Sequence, residues 1–317
     1  MAYLIHYMEK INNVTEFIFW GLSQNPEVEG VCFVVLLFFY TAILGNLLIM
    51  LTIFMGNLLK SPMYFFLNSL SFVDICFSSA TAPKTIVDLL AKNKTISYEG
   101  CILQLFGVHF FGSTEIFILI VMAYDRYVAI CKPLHYMTIM DLEKCHKMLL
   151  GTWVGGFIHT VIPLSPVVQL PFCGYNEINH YFCDVCPVLK LACTDTYVIG
   201  GVVTANSGTV TLGSFVILLI SYTAILVSPR KQSAEGRRKA LSTSGAHIAV
   251  VIIFFGPCTF TYMHLDVTFM EDKMVAVYYT IINPMLNPMI YTLRNAEVKN
   301  AMKKIWVKKA FWNSNSK

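Results

Sequence analysis

The sequence has 317 residues, 56% of them hydrophobic and only 13% charged. A soluble domain carries about 25% charge, so the composition excludes an ordinary soluble fold and points to a chain that lies mostly in lipid. Its formal charge of +4 reflects loops of unequal basicity and does not signal nucleic acid.

Apolar stretches fall near 31–55, 62–82, 102–123, 147–168, 197–227, 246–264 and 274–293. Each is near or above the roughly 20 residues that a spanning helix needs. Seven spans in one domain are expected. The second is the least clear, since Asp74 interrupts it and Pro83 ends its apolar run. No internal repeat is present, which disfavours a repeat-built transporter. No Walker loop, HExxH or nucleophile–base set occurs, which disfavours an enzyme.

The opening MAYLIHYMEK lacks a basic segment followed by an apolar one, so the first span is expected to drive insertion itself. Of the 23 Lys and Arg, 17 fall on one side of the seven spans and six on the other. By the positive-inside rule the amino terminus is outside and the carboxyl terminus inside. Residues 1–29 then form an extracellular tail, 30–294 a helix bundle and 295–317 a cytoplasmic tail, in a multi-pass protein of the plasma membrane. Asn13 heads a glycosylation sequon in the outer tail, and Asn93 heads a second one close to the membrane.

The first span carries Asn46 in its middle, where a polar side chain needs partners. Pro62 suits the first turn of the second span. Asp74 lies 12 residues beyond it, about 18 Å along the helix. The third span runs from Cys101 to the stretch MAYDRYVAIC, which contains Asp125, Arg126 and Tyr127. Those 25 residues make about 37 Å of helix against about 30 Å of hydrocarbon, so the span joins a cysteine on one face to an Asp-Arg pair on the other. Glu115 lies 11 residues before Arg126, about 16 Å from that end. Asp74 and Glu115 are thus expected at similar depth, sharing a proton or a sodium ion, with help from Asn46 and Asn287.

Five cysteines, Cys101, Cys173, Cys183, Cys186 and Cys193, fall on the outer side, where disulfides persist. The count is odd, and any four of them allow three pairings. The outer loop Pro171 to Thr196 also holds His180, which is read as structural and not as a metal ligand. Tyr222 stands near the inner end of the fifth span. A short basic loop with Arg237, Arg238 and Lys239 leads to the sixth, which carries His247 and a kink at Pro257. Pro288 interrupts the seventh. Beyond it Val298, Met302, Ile305 and Trp306 recur at helical spacing among lysines, which predicts an amphipathic helix on the inner leaflet.

MAYDRYVAIC, PMYFFL, the LSFVD run ending at Asp74, KALSTSGAH and PMLNPMIY together resemble the olfactory receptors, which are rhodopsin-like G-protein-coupled receptors. The match is to the tetrapod-type class II receptors, family 4. The resemblance implies an all-α membrane protein: a seven-transmembrane helix bundle with a short amphipathic helix after the seventh. It implies disulfides Cys101–Cys183 and Cys173–Cys193, with Cys186 as a thiol the usual pattern lacks. By resemblance and helix depth, the odorant meets His109, Gly112, Ser113, Asn206, Thr259, Tyr262 and Thr280. Coupling to a stimulatory, olfactory-type heterotrimeric G protein falls to Asp125, Arg126, Tyr127, Tyr222, His247, Asn287, Pro288 and Tyr291. The expected ligand is a small, largely apolar volatile, and the expected output is cyclic AMP.

Overall fold

The structure is a computed structural model. It describes residues 14–21, 28–91, 93–172, 174–227, 269–294 and 298–303, with five isolated positions between 245 and 255. Five helices are long and apolar enough to cross a bilayer among the described residues. They are α1 (Val28–Met55), α2 (Pro62–Leu90), α3 (Tyr98–Cys131), α4 (Leu142–Val168) and α5 (Tyr197–Val227). The five isolated positions, in the sixth span, are helical too. A final helix comprises Phe269–Val277, a π-helical turn Tyr278–Ile282 and Asn283–Arg294. The fold is the seven-helix bundle that the apolar stretches imply.

Local chemistry sets the helix starts. Ser97 Oγ accepts from Gly100 N at 3.1 Å at the head of α3, and Asp141 Oδ1 accepts from Lys144 N at 2.8 Å at the head of α4; each satisfies an N–H with no intrahelical partner. Large apolar side chains such as Leu44, Leu51, Phe54 and Ile220 are exposed, as expected of surfaces facing lipid. The α3 helix is central, packing against α2, α4 and α5. Glycines let the backbones close up: a Cβ on Gly156 would collide with Thr114 Oγ1, and one on Gly45 would sit 2.9 Å from Pro288 Cγ.

Three details go beyond the expected bundle. The second helix continues past Pro83, where its apolar run ends, to Leu90. A proline gives no N–H to the turn before it. In that turn the Ala80 carbonyl receives Gln104 Nε2 of α3 at 3.0 Å, which ties the weakened turn to its neighbour.

The helical bundle also carries a small three-stranded sheet. Strand β1 (Glu16–Phe19) lies between β2 (Thr95–Ser97), antiparallel to it, and β3 (Glu177–Ile178), parallel to it. Phe17 and Phe19 are buried while Glu16 and Ile18 point outward, the two-residue alternation of a half-buried strand. Residues 14–21 are therefore part of the fold, and Lys273 Nζ of the final helix donates to the Gly21 carbonyl at 2.9 Å.

Third, the helix after the seventh span, described over residues 298–303, does more than lie on lipid. Val298 is fully buried, and Met302 packs on the same core cluster as Tyr64, Met122 and Tyr222. Ile305 and Trp306 lie outside the described residues.

Candidate functional site

The Cys101–Cys183 disulfide, with Cα atoms 5.5 Å apart, fixes the 171–196 loop to the head of α3. One turn along, Gln104 Oε1 accepts from Cys183 N at 2.9 Å. The same side chain therefore steadies both the loop and α2. Cys193 is disulfide-bonded as well; Cys173, its expected partner, lies outside the described residues. His180 stacks on the ring of Tyr181 and meets Phe182 edge-on. Its Nδ1 accepts from Phe182 N at 3.4 Å. Burial holds this imidazole neutral, with its pKa lowered to about 4.

Beneath this loop is a cavity of about 320 Å³ bounded by α3, α4, α5 and the final helix. From α3 it receives His109, Gly112, Ser113 and Ile116, positions that recur on one helical face. From α5 it receives Val203, Thr204, Ser207, Val210 and Thr211. The loop supplies His180, Asp184 and Cys186, α4 supplies His159, and the final helix supplies Tyr279. Ser113 Oγ already donates to the His109 carbonyl at 2.7 Å. In contrast, His109 Nε2 and both ring nitrogens of His159 are buried without a hydrogen-bond partner among the described residues.

Two expected ligand contacts lie elsewhere. Asn206 turns to α4 and donates to the His159 carbonyl at 3.1 Å. Its neighbour Ser207 faces the cavity instead, because one residue rotates a helix face by about 100°. Thr280 Oγ1 donates to Ala276 O at 2.8 Å and shares a 3.0 Å hydrogen bond with Tyr181 Oη, while Tyr279 lines the cavity. Thr259 and Tyr262 lie outside the described residues.

Directly below, Asp74 and Glu115 are fully buried and meet through the final helix. Asn287 Nδ2 lies 3.2 and 3.0 Å from the two Asp74 oxygens and 3.1 Å from Glu115 Oε1. Two N–H bonds cannot serve three oxygens separately, so one is shared. Asn283, which the sequence reading missed, adds a bond from Nδ2 to Glu115 Oε1 at 3.1 Å. Asn46 does not join the acids. Its amide donates to the Ala42 and Pro284 carbonyls, both at 3.0 Å, and so binds α1 to the final helix. Glu115 Oε2 and the Oδ1 atoms of Asn283 and Asn287 are buried without partners among the described residues. This oxygen-rich set suits a proton or a hard monovalent cation, since two carboxylates in one buried spot disfavour double ionisation.

At the far end of α3, Asp125 is fully buried and accepts from Arg126 Nε at 2.9 Å and also from Arg126 Nη2. Tyr136 Oη, in the loop after α3, donates to its other oxygen at 2.8 Å. Burial and the adjacent carboxylate push the Tyr136 phenol pKa upward, so it stays a donor. Tyr127 and Tyr222 pack in the surrounding core. Pro288 rests on α1 at Gly45. The Tyr291 side chain, His247 and Asn13 lie outside the described residues, and Asn93 is exposed.

A family model described as olfactory receptor matches residues 32–309. The chain is 78% identical to human olfactory receptor 4S2, over 98% of its own length and 100% of that protein's. It is 59% identical to human olfactory receptor 4B1, over 95% of this chain and 98% of the other. Mouse olfactory receptor 4B13 is 58% identical, over 95% and 99% respectively.

Proposed function

The chain belongs to the olfactory receptor family and is a multi-pass odorant receptor, not an enzyme; from that premise we propose that the cavity under the disulfide-held loop takes a small, mostly apolar odorant and that the Arg126 end engages a stimulatory, olfactory-type heterotrimeric G protein to raise cyclic AMP. The observation that carries the proposal is the reach of α3. Its face at His109, Gly112, Ser113 and Ile116 lines the cavity, and the same helix ends in the buried Asp125–Arg126 pair. A ligand that fits one arrangement of the bundle better than another shifts the population toward it. Opening then requires Arg126 to leave Asp125, which Tyr136 also holds.

In this scheme residues 1–29 and the disulfide end face outward, 30–294 form the bundle, and 295–317 face the cytoplasm, as the 17-to-6 split of basic residues supports. The basic stretch Arg237, Arg238 and Lys239 suits a partner helix ending in a carboxylate. Asp74 and Glu115, held by Asn283 and Asn287, keep a proton or sodium ion between the cavity and the Arg126 end. An odorant panel on cells carrying a cyclic AMP reporter tests the scheme. His109→Ala should shift odorant potency at matched surface level, and Glu115→Gln should change basal signalling. Unchanged potency for every agonist in His109→Ala would displace the odorant from this cavity.

A further inference from the structure

Resting on the assignment of the cavity to the odorant, we infer that its ligand class is protonated organic amines, with Asp184 as counter-ion and the His109 and His159 imidazoles as hydrogen-bond acceptors. Asp184 is held at the cavity wall because its Oδ1 accepts from Val185 N at 2.7 Å, capping the short helix Val185–Leu189. Imidazoles apart, it carries the one formal charge in the described lining.

No basic side chain balances it there. The described lining holds no Lys or Arg. Nor do the apolar stretches 102–123, 197–227, 246–264 and 274–293 of the third, fifth, sixth and seventh spans contain one. Of the lysines at the same end, Lys84 pairs with Asp88, and Lys273, near enough to His180 to help lower its pKa, donates its Nζ to the Gly21 carbonyl. A carboxylate ligand would therefore find an anion and no permanent cation in the described lining, whereas an ammonium finds its opposite charge. An ammonium also brings three N–H donors, and the cavity offers unpartnered ring nitrogens on His109 and His159 to receive them. Phe77, Ile116, Val203, Val210 and Val275 surround the rest with hydrocarbon, which fits an alkyl or aryl body.

The test uses the full receptor in reporter cells, with hexylamine, hexan-1-ol and hexanoic acid as a matched series. Purified receptor is scanned in parallel for thermal stabilisation by the same three compounds, so that an amine that binds without activating is still detected. Hexylamine should be about tenfold or more stronger than hexan-1-ol, which is the scale of one added charge contact, and hexanoic acid should be the weakest. Asn caps a helix as well as Asp does, so Asp184→Asn preserves the loop while removing the charge. In that variant the amine-to-alcohol ratio should fall to about one. Alcohol or acid matching the amine, an amine that neither activates nor stabilises, or an amine advantage that survives Asp184→Asn would each overturn the inference. If the alcohol response depends on His109 but no amine preference exists, the cavity stands and the ligand class falls. If no response depends on His109, the cavity falls with it.

Discussion

The two ends of α3 use polar chemistry in opposite ways. At the cavity end, imidazole nitrogens of His109 and His159 are left without partners among the described residues, and a Cβ on Gly112 would lie 3.5 Å from the Phe77 ring. At the other end, Asp125 accepts from Arg126 and Tyr136 together, inside a cluster of Leu67, Met122, Tyr222 and Ile225. An unpartnered buried polar group costs free energy until something pairs with it, so the first arrangement invites a ligand. A saturated, packed one resists change, which suits the second to the proposed role of holding a resting state. Asp74 and Glu115 lie between them, both tied to the final helix.

Breaking the covered end should have the largest effect. Removing a native disulfide costs about 2–5 kcal/mol, so Cys101→Ser should abolish most surface receptor by flow cytometry; normal surface level with normal potency would show that Gln104 alone holds the loop. Loosening the saturated end is next. A hydrogen bond to a charged group contributes about 1.5–3 kcal/mol, and Tyr136→Phe removes one from Asp125. Basal cyclic AMP should rise several-fold at matched expression, and an unchanged baseline would mean that Tyr136 does not restrain Arg126.

The smallest effect separates packing from signalling. Gly45→Ala places a Cβ 2.9 Å from Pro288 Cγ, an overpacking cost near 1 kcal/mol, at the low end of such changes. Gly151→Ala meets nothing within 4 Å and serves as the control. The first should lower the thermal midpoint by a few degrees relative to the second; equal midpoints would mean that α1 gives way freely.

The contrast between the ends was only partly legible in the sequence. Helical spacing counted from Cys101 placed His109, Gly112 and Ser113 on one face, because a cysteine at a known depth anchored the count. No such anchor exists in α5, where the reading chose Asn206 and the cavity takes Ser207. Two acids in apolar runs marked Asp74 and Glu115 as neighbours. Asn287 was expected to assist both acids and bonds to each, whereas Asn46, expected with it, bonds to backbone carbonyls. Asn283 was passed over although it precedes a proline as Asn287 does. Gln104, Tyr136 and strand β1 act through partners distant in sequence, and spacing rules do not see such pairs. Phe17 and Phe19 alternate in burial with an equally apolar Ile18, so residue type alone did not show a strand in the segment read as a tail.

The central claim is that α3 carries odorant binding at one end and a polar lock for G-protein engagement at the other. Arg126→Ala, compared with the unmutated receptor at matched surface level, tests it most directly by measuring odorant binding and cyclic AMP in the same cells. The account predicts retained binding with no rise in cyclic AMP. Normal signalling by Arg126→Ala would contradict it and leave Arg126 as an anchor at the lipid headgroups.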